Sequence, residues 1–306
     1  MALNVAVGSF NIGVGGAGTT ATIVPGFQTK AIILWWNGRT EAADAGGSAN
    51  MHRGMGFGVS TTSGRCWCIT DLDAQGTSAA QSVYHDASNP ATSGPAIVVR
   101  GGGVGGSARI SSITATDVVF QVIEIFGVNL RVFYLALGGS DITGAEVGQF
   151  TPAGAAPVNQ IVATGFQGKL VFFGGCLNLG ANRTIQSHAG SFFGTAIGSG
   201  AAQQYVHAGV SEDLATIADT RSYCRGNECI AELSQATDIG VNRAQFVSFN
   251  ATPSFTINWL ERASTNTVAY LLLSGTFQVA LGDLVTLATT GTITETGVGF
   301  TPTALL

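Results

Sequence analysis

The sequence of 306 residues repeats itself, and that repeat constrains the fold more than any other feature. Val7-Gly8-Ser9-Phe10 leads to Gly26-Phe27-Gln28-Thr29-Lys30-Ala31-Ile32-Ile33. Val147-Gly148-Gln149-Phe150 leads to Gly165-Phe166-Gln167-Gly168-Lys169-Leu170-Val171-Phe172, 139 to 140 residues further on. The ends of the two units align without gaps over 32 positions, Ala108 to Gly139 on Ala244 to Gly275, matching Ser112 with Ser248 and Tyr134-Leu135 with Tyr270-Leu271. A partial third copy, Leu281 to Leu306, lies on Val147 to Phe172 at an offset of 134. Matching core alternation at matching positions dictates one register, so the two units are expected to share a fold and a strand order. The expected divisions are residues 1–142, residues 143–278 and a partial repeat at 279–306 that contributes a terminal strand pair. Ser140 to Glu146 reads as the linker.

The local pattern is that of strands. Val118 to Phe126, Arg131 to Leu137, Phe246 to Phe249 and Ser254 to Trp259 mix alternating and fully apolar runs rich in Val, Ile, Phe, Thr and Tyr. Clusters of Gly, Ser, Asn and Thr interrupt them at short intervals. The best helical stretch, Glu212 to Ala218, covers about two turns. The expected class is therefore all-β, two homologous tandem β-sandwich (jelly-roll-like) modules followed by the partial repeat.

Composition removes several functions. Thirteen basic and 18 acidic residues give a net charge of -5, and the basic ones are scattered, which argues against nucleic acid as a partner. The apolar runs Ala31 to Trp36 and Val268 to Leu273 are far shorter than the ~20 residues of a spanning helix, so no membrane insertion is expected. Met1 to Phe10 lacks the marks of a secretory signal. Five cysteines form an odd set in a large chain, which fits reduced thiols in a protein made in a cytoplasm.

Motifs with chemical meaning are weak here. Gly13-x-Gly15-x-x-Gly18 fits a dinucleotide fingerprint by letters, but β-branched residues follow it where a helix must begin, so it reads as a glycine-rich loop. Cys66-Trp67-Cys68 and Cys224-x4-Cys229 lack the paired spacing of a zinc site. Asp71-x-Asp73 resembles the start of a calcium loop, yet position 12 is Ser82, and a solvated turn is the expectation. His52, His85, His188 and His207 lie in polar stretches read as loops. Tyr84-His85-Asp86 puts neighbours on opposite strand faces, which is poor geometry for a relay. No catalytic, cofactor-binding or metal-binding residue is assigned, and no enzyme activity or cofactor is expected. Trp35, Trp36 and Trp67 are candidates for stacking on sugar rings, with at least one of the first two facing the core. Lys30 and Lys169, the two lysines at one repeat position, are expected to snorkel into water. Tyr134 and Tyr270 are expected at equivalent places on an interior strand.

The Gly-Phe-Gln-x-Lys turn, the run Ala31-Ile32-Ile33-Leu34-Trp35-Trp36, the stretch Arg53-Gly54-Met55-Gly56-Phe57-Gly58 and the closing Val132-Phe133-Tyr134-Leu135-Ala136-Leu137-Gly138-Gly139 resemble a β-sandwich module common in tailed-bacteriophage virion proteins. The strand grammar is also similar to that of H-type lectin sandwiches. The first resemblance implies a non-enzymatic structural component of a virion, made in the host cytoplasm. Such a subunit is capsid- or tail-associated, or a decoration protein. Its expected partners are other virion proteins and copies of itself. The alternative is an adhesin, a receptor-binding or fibre protein that takes a host surface glycan through its loops. The low charge supports the first reading, because a charge-poor surface suits coverage by neighbours.

Overall fold

The computed structural model describes residues 2–13, 15–37, 51–60, 66–73, 82–87, 96–101, 103–127, 129–176, 189–200, 203–211, 220–233, 240–282, 290–292, 294 and 298–302. Among them there are strands and no helices. The first half holds β1 (Asn4–Ile12), β2 (Thr20–Ile23), β3 (Thr29–Trp36), β4 (Met51–Val59), β5 (Cys66–Asp73), β6 (Ser82–Ala87), β7 (Ile97–Gly101), β8 (Gly103–Ile113), β9 (Val118–Glu124) and β10 (Leu130–Gly138). The second holds β11 (Ile142–Phe150), β12 (Val158–Ala163), β13 (Leu170–Cys176), β14 (Ala189–Ala196), β15 (Gln204–Ser211), β16 (Thr220–Arg225), β17 (Ile230–Leu233), β18 (Gly240–Phe249), β19 (Ser254–Arg262) and β20 (Val268–Gly275). Each half is a sandwich of a six-stranded and a four-stranded antiparallel sheet. The orders are β1-β10-β3-β4-β5-β6 with β2-β9-β8-β7, then β11-β20-β13-β14-β15-β16 with β12-β19-β18-β17. The second pair of orders is the first shifted by ten strands.

The two six-stranded sheets pack face to face, so the chain has four layers and three apolar cores. Ile32, Leu34 and Trp36 of β3 face the four-stranded sheet of their own half, while Ala31 and Ile33 face the other half. A strand covered on both faces must be apolar at every position, which explains the run from Ala31 to Leu34; beyond it Trp36 still faces the sandwich core while Trp35 is exposed. The same double burial accounts for Leu170–Cys176 and for Val268–Leu273. Equivalent residues meet in the middle core, Ala31 with Leu170, Ile33 with Phe172, Leu135 with Leu271 and Leu137 with Leu273 all contributing. The two halves use the same sheet face but are offset: β11 lies over β3, β4 and β5, and β13 and β14 over β5 and β6, while the reciprocal contacts of β1, β3 and β4 are weaker, so the packing is not two-fold symmetric.

The repeated Val-Gly-x-Phe motif has a packing cause. Gly8 lies opposite Tyr134 and Gly148 opposite Tyr270, and each tyrosine ring covers the place where a β-carbon would stand. Phe10 and Phe150 then lie beside the rings, with centroids 6.4 and 6.3 Å away. Gly148→Ala is expected to destabilise the chain by about 1–3 kcal/mol, the usual cost of overpacking, as read by urea unfolding. An unchanged midpoint would remove the ring contact as the reason for this glycine.

The structure departs from the sequence reading in several places. The ungapped alignment fails in β9 and β19. Ile110 pairs with Phe120 and Phe246 with Ile257, so the true match there is offset by 137 and not 136. The turn between Phe249 and Phe255 holds one residue more than that between Ile113 and Val118. Without it, Thr256 and Asn258 would fall on the core positions of Phe120 and Val122, because a one-residue slip reverses every side chain. Ser140 to Glu146 is no linker: β11 starts at Ile142, which is 1% exposed in the middle core. Lys30 donates through Nζ to the carbonyl of Ile142, and Lys169 Nζ lies 5.3 Å from the Phe277 ring, so both lysines make protein contacts. In the expected terminal strand pair, described residues 279–282, 290–292, 294 and 298–302 belong to no strand, and the rest lies outside the described residues. Glu212 to Ala218 lies outside them too. His52, His85 and His207 stand on β4, β6 and β15 instead of loops, and Asp71 and Asp73 on β5 instead of a turn.

Candidate functional site

The register identifies which residues of the two halves are equivalent. Leu34 pairs with Gly56 and Phe173 with Gly194, so Gly56 and Gly194 are equivalent; counting back three residues makes Arg53 the counterpart of Ser191. Gly56 pairs with Cys68 and Gly194 with Val206, which makes Ile69 the counterpart of His207. These four residues meet. With Gly54, Met55, Phe192 and Phe193 they line a cleft of about 240 Å³ between β4 and β5 of one half and β14 and β15 of the other. Arg53 Nη2 donates to Ser191 Oγ at 3.4 Å, from one half to the other. Gly209 of β15 leaves room for the guanidinium, whose Nη1 lies 3.3 Å from where a β-carbon would stand. His207 is exposed at the cleft. The site thus combines a cation, a hydroxyl and an imidazole with apolar walls, a mixture typical of small-molecule sites.

Behind Ser191 and Phe192 lies a second, smaller space of about 10 Å³, room for one water, on which Glu232 of β17 borders. Glu232 is 3% exposed. Its Oε2 accepts from Asn242 Nδ2 at 2.7 Å, Asn266 Nδ2 at 3.1 Å and Ser264 Oγ at 3.4 Å. Its Oε1 has no partner among the described residues. Burial pushes the carboxyl up to about 7, against the three donors, which favour the charged form. Asn242 also accepts from the amides of Ala263 and Ser264, so the network fastens the β19–β20 loop to β17 and β18. The first half solves the same corner with carbon: the Phe126 ring covers Gly106 there.

A third polar group is structural. Arg243 binds both oxygens of Glu228, through Nη2 at 2.6 Å and Nε at 3.1 Å, and Glu261 through Nη1 at 2.9 Å. Tyr223 donates to Glu228 Oε2 at 2.9 Å. The Glu228 hydrogen bonds raise the Arg243 guanidinium, and burial, then Glu228, raises the Tyr223 phenol. The group ties the β16–β17 connection to β18 and β19.

The sequence-derived candidates disperse. Cys66 and Cys68 lie together on β5 in the first sandwich core, Cys176 and Cys229 are buried elsewhere, and Cys224 is exposed; none is in a disulfide. Burial pushes the Cys229 thiol well up. Gly13, Gly15 and Gly18 stand in the β1–β2 loop, and Gly18 has φ +92°. The side chains of His52, His85 and Asp86, and all of His188, lie outside the described residues. Among the described residues no group of three or more His, Cys, Asp or Glu is placed to hold a metal ion. Trp36 and Trp67 are core residues, whereas Trp35 is 38% exposed and stacked on Phe133 at 6.2 Å. The sequence alone reads His207 as a loop histidine and Arg53 only as the head of a glycine-rich stretch, and it does not single out Ser191. The signal was present in the repeat, which changes from Arg to Ser and from Ile to His at equivalent places.

The sequence matches no protein-family model, and no curated protein matches it.

Proposed function

We propose that this chain is a non-enzymatic structural subunit of a bacteriophage virion, capsid- or tail-associated, that works by packing against copies of itself and other virion proteins. One observation carries the reading. The edge strands β1, β2 and β12 contain no charged residue and no proline, and they leave Val7 67%, Val24 (just after β2) 68% and Ile161 69% exposed. Sheet edges of free-standing proteins are usually protected by charge, proline or a covering element, so bare apolar edges fit strands that are covered in an assembly. The low overall charge supports the same reading. Light scattering and electron microscopy of the purified chain, and its copy number in purified particles, test it. Val7→Lys and Ile161→Lys are expected to reduce self-association while leaving thermal unfolding within about 0.5 kcal/mol of the parent, as surface changes do. A chain that stays monomeric at every concentration and is absent from particles would overturn the proposal.

A second reading, a glycan-binding adhesin, rests on the exposed Trp35, which stacks on the half-buried Phe133, with Arg131 5.7 Å from the Phe133 ring. Aromatic faces of this kind accept sugar rings. Trp35→Ala should then abolish glycan retention without changing assembly.

A further inference from the structure

We propose that the edge strand β12 pairs antiparallel with β12 of a second copy of this chain, in register about Ile161, so that two four-stranded sheets join into one continuous sheet. The inference rests on the reading of the chain as an assembly subunit and gives one of its bare edges a partner and a register. Hydrogen bonds on the inner side of the strand fix which backbone groups face out. Val162 stands opposite Phe255, and the Thr164 amide donates to the Pro253 carbonyl, so the even-numbered residues of β12 turn their N–H and C=O groups toward β19. Asn159, Ile161 and Ala163 therefore turn theirs to the free edge, and they are the exposed residues of the strand. This row is self-complementary. With Ile161 opposite Ile161 of the second copy, Asn159 of each copy falls opposite Ala163 of the other, and each of these pairs exchanges two hydrogen bonds, about six in all. Ile161, 69% exposed in the single chain, then packs against its own copy, and the row holds no charge that would meet itself. The two ends of the strand differ in sign. Arg262 donates to the Gly154 carbonyl before β12, and Glu146 accepts from the Gly165 amide after it, so antiparallel pairing sets the basic end of each copy beside the acidic end of the other. The first half lacks the device: β2 has four residues where β12 has six, and Thr22 stands in the place of Ile161.

The experiment is disulfide trapping in the full chain, with the exposed thiol removed by Cys224→Ser. Ile161→Cys should give a covalent dimer on mild oxidation with copper phenanthroline, because residues opposed in such a pair have Cα atoms ~5.5 Å apart, within disulfide reach. Asn159→Cys alone and Ala163→Cys alone should link about tenfold less or worse, since each would lie ~13 Å along the strand from its own copy. A mixture of those two variants should link, which decides the matter should Ile161→Cys fail to fold. Light scattering of the parent separates this proposal from the reading it rests on. Self-association without links at Ile161 or in the mixture would overturn the β12 pairing and leave the assembly reading standing, with the edge covered by another protein. A parent that stays monomeric at every concentration would overturn the pairing as well. Equal linking by Asn159→Cys and Ile161→Cys would mark random collision and overturn the proposal.

Discussion

Replacing Tyr270 by alanine is expected to cost about 3–5 kcal/mol, the range for a large aromatic removed from a core. Tyr270 is 3% exposed and stands on β20, an interior strand of its sheet. Its ring packs edge-on against Phe255 at 5.3 Å, and its hydroxyl donates to Glu146 Oε1 at 2.7 Å. The other oxygen of that carboxylate accepts from the Gly165 amide at 2.6 Å, so the truncation also loosens the β12–β13 turn. Tyr134 occupies the equivalent place but is only half-buried, and residue 6, opposite Glu146 in the repeat, is alanine. Tyr134→Ala should therefore cost less than Tyr270→Ala. Urea unfolding of the two variants separates them, and equal losses would show that burial and the Glu146 contact do not set the difference.

The second large effect concerns pH. Glu232 is raised from 4.5 to about 7 in the folded chain, chiefly by burial. A group with a raised folded value stabilises the fold fully below its unfolded value and loses that contribution as pH rises through the folded one. The chain should thus lose about 3 kcal/mol between pH 4.5 and pH 8 from this residue. Glu232→Gln carries no charge to bury. Its amide oxygen can accept from Asn242, Ser264 and Asn266 while its amine points into the small space beside Ser191. The variant is expected to match the parent near pH 4.5 and to exceed it by up to about 3 kcal/mol at pH 8. Parallel stability curves for the two proteins would show that Glu232 does not titrate as its burial requires.

Much of the architecture is legible in the repeat, because alternation at Ile32, Leu34 and Trp36 and at equivalent places in the second copy fixes one strand order for both halves. What the sequence does not display is where two sheets meet. Ala31 and Ile33 look like any residues of a buried strand, and only their contact with the other half's core reveals a third apolar layer. The extra turn residue before Phe255 was hidden because small polar residues in both turns let an ungapped match run through. The cleft was invisible for a different reason. Arg53 and Ser191 are 138 positions apart, and only the packing of the two six-stranded sheets brings them into contact. Glu232 did leave a trace, an acidic residue inside the short strand Ile230–Leu233.

Three residues, Gly139 to Asp141, separate β10 from β11. A single half carrying the face around Ile33, Phe57, Trp67 and Leu135 would be sticky to its own kind, and its pairing would fade on dilution. Joined by so short a tether, the two faces see each other at an effective concentration in the millimolar range or above, whatever the protein concentration outside. The joined halves therefore stay packed at any dilution. The two halves need not be identical where they meet, and Arg53 with its counterpart Ser191, and His207 with its counterpart Ile69, differ there.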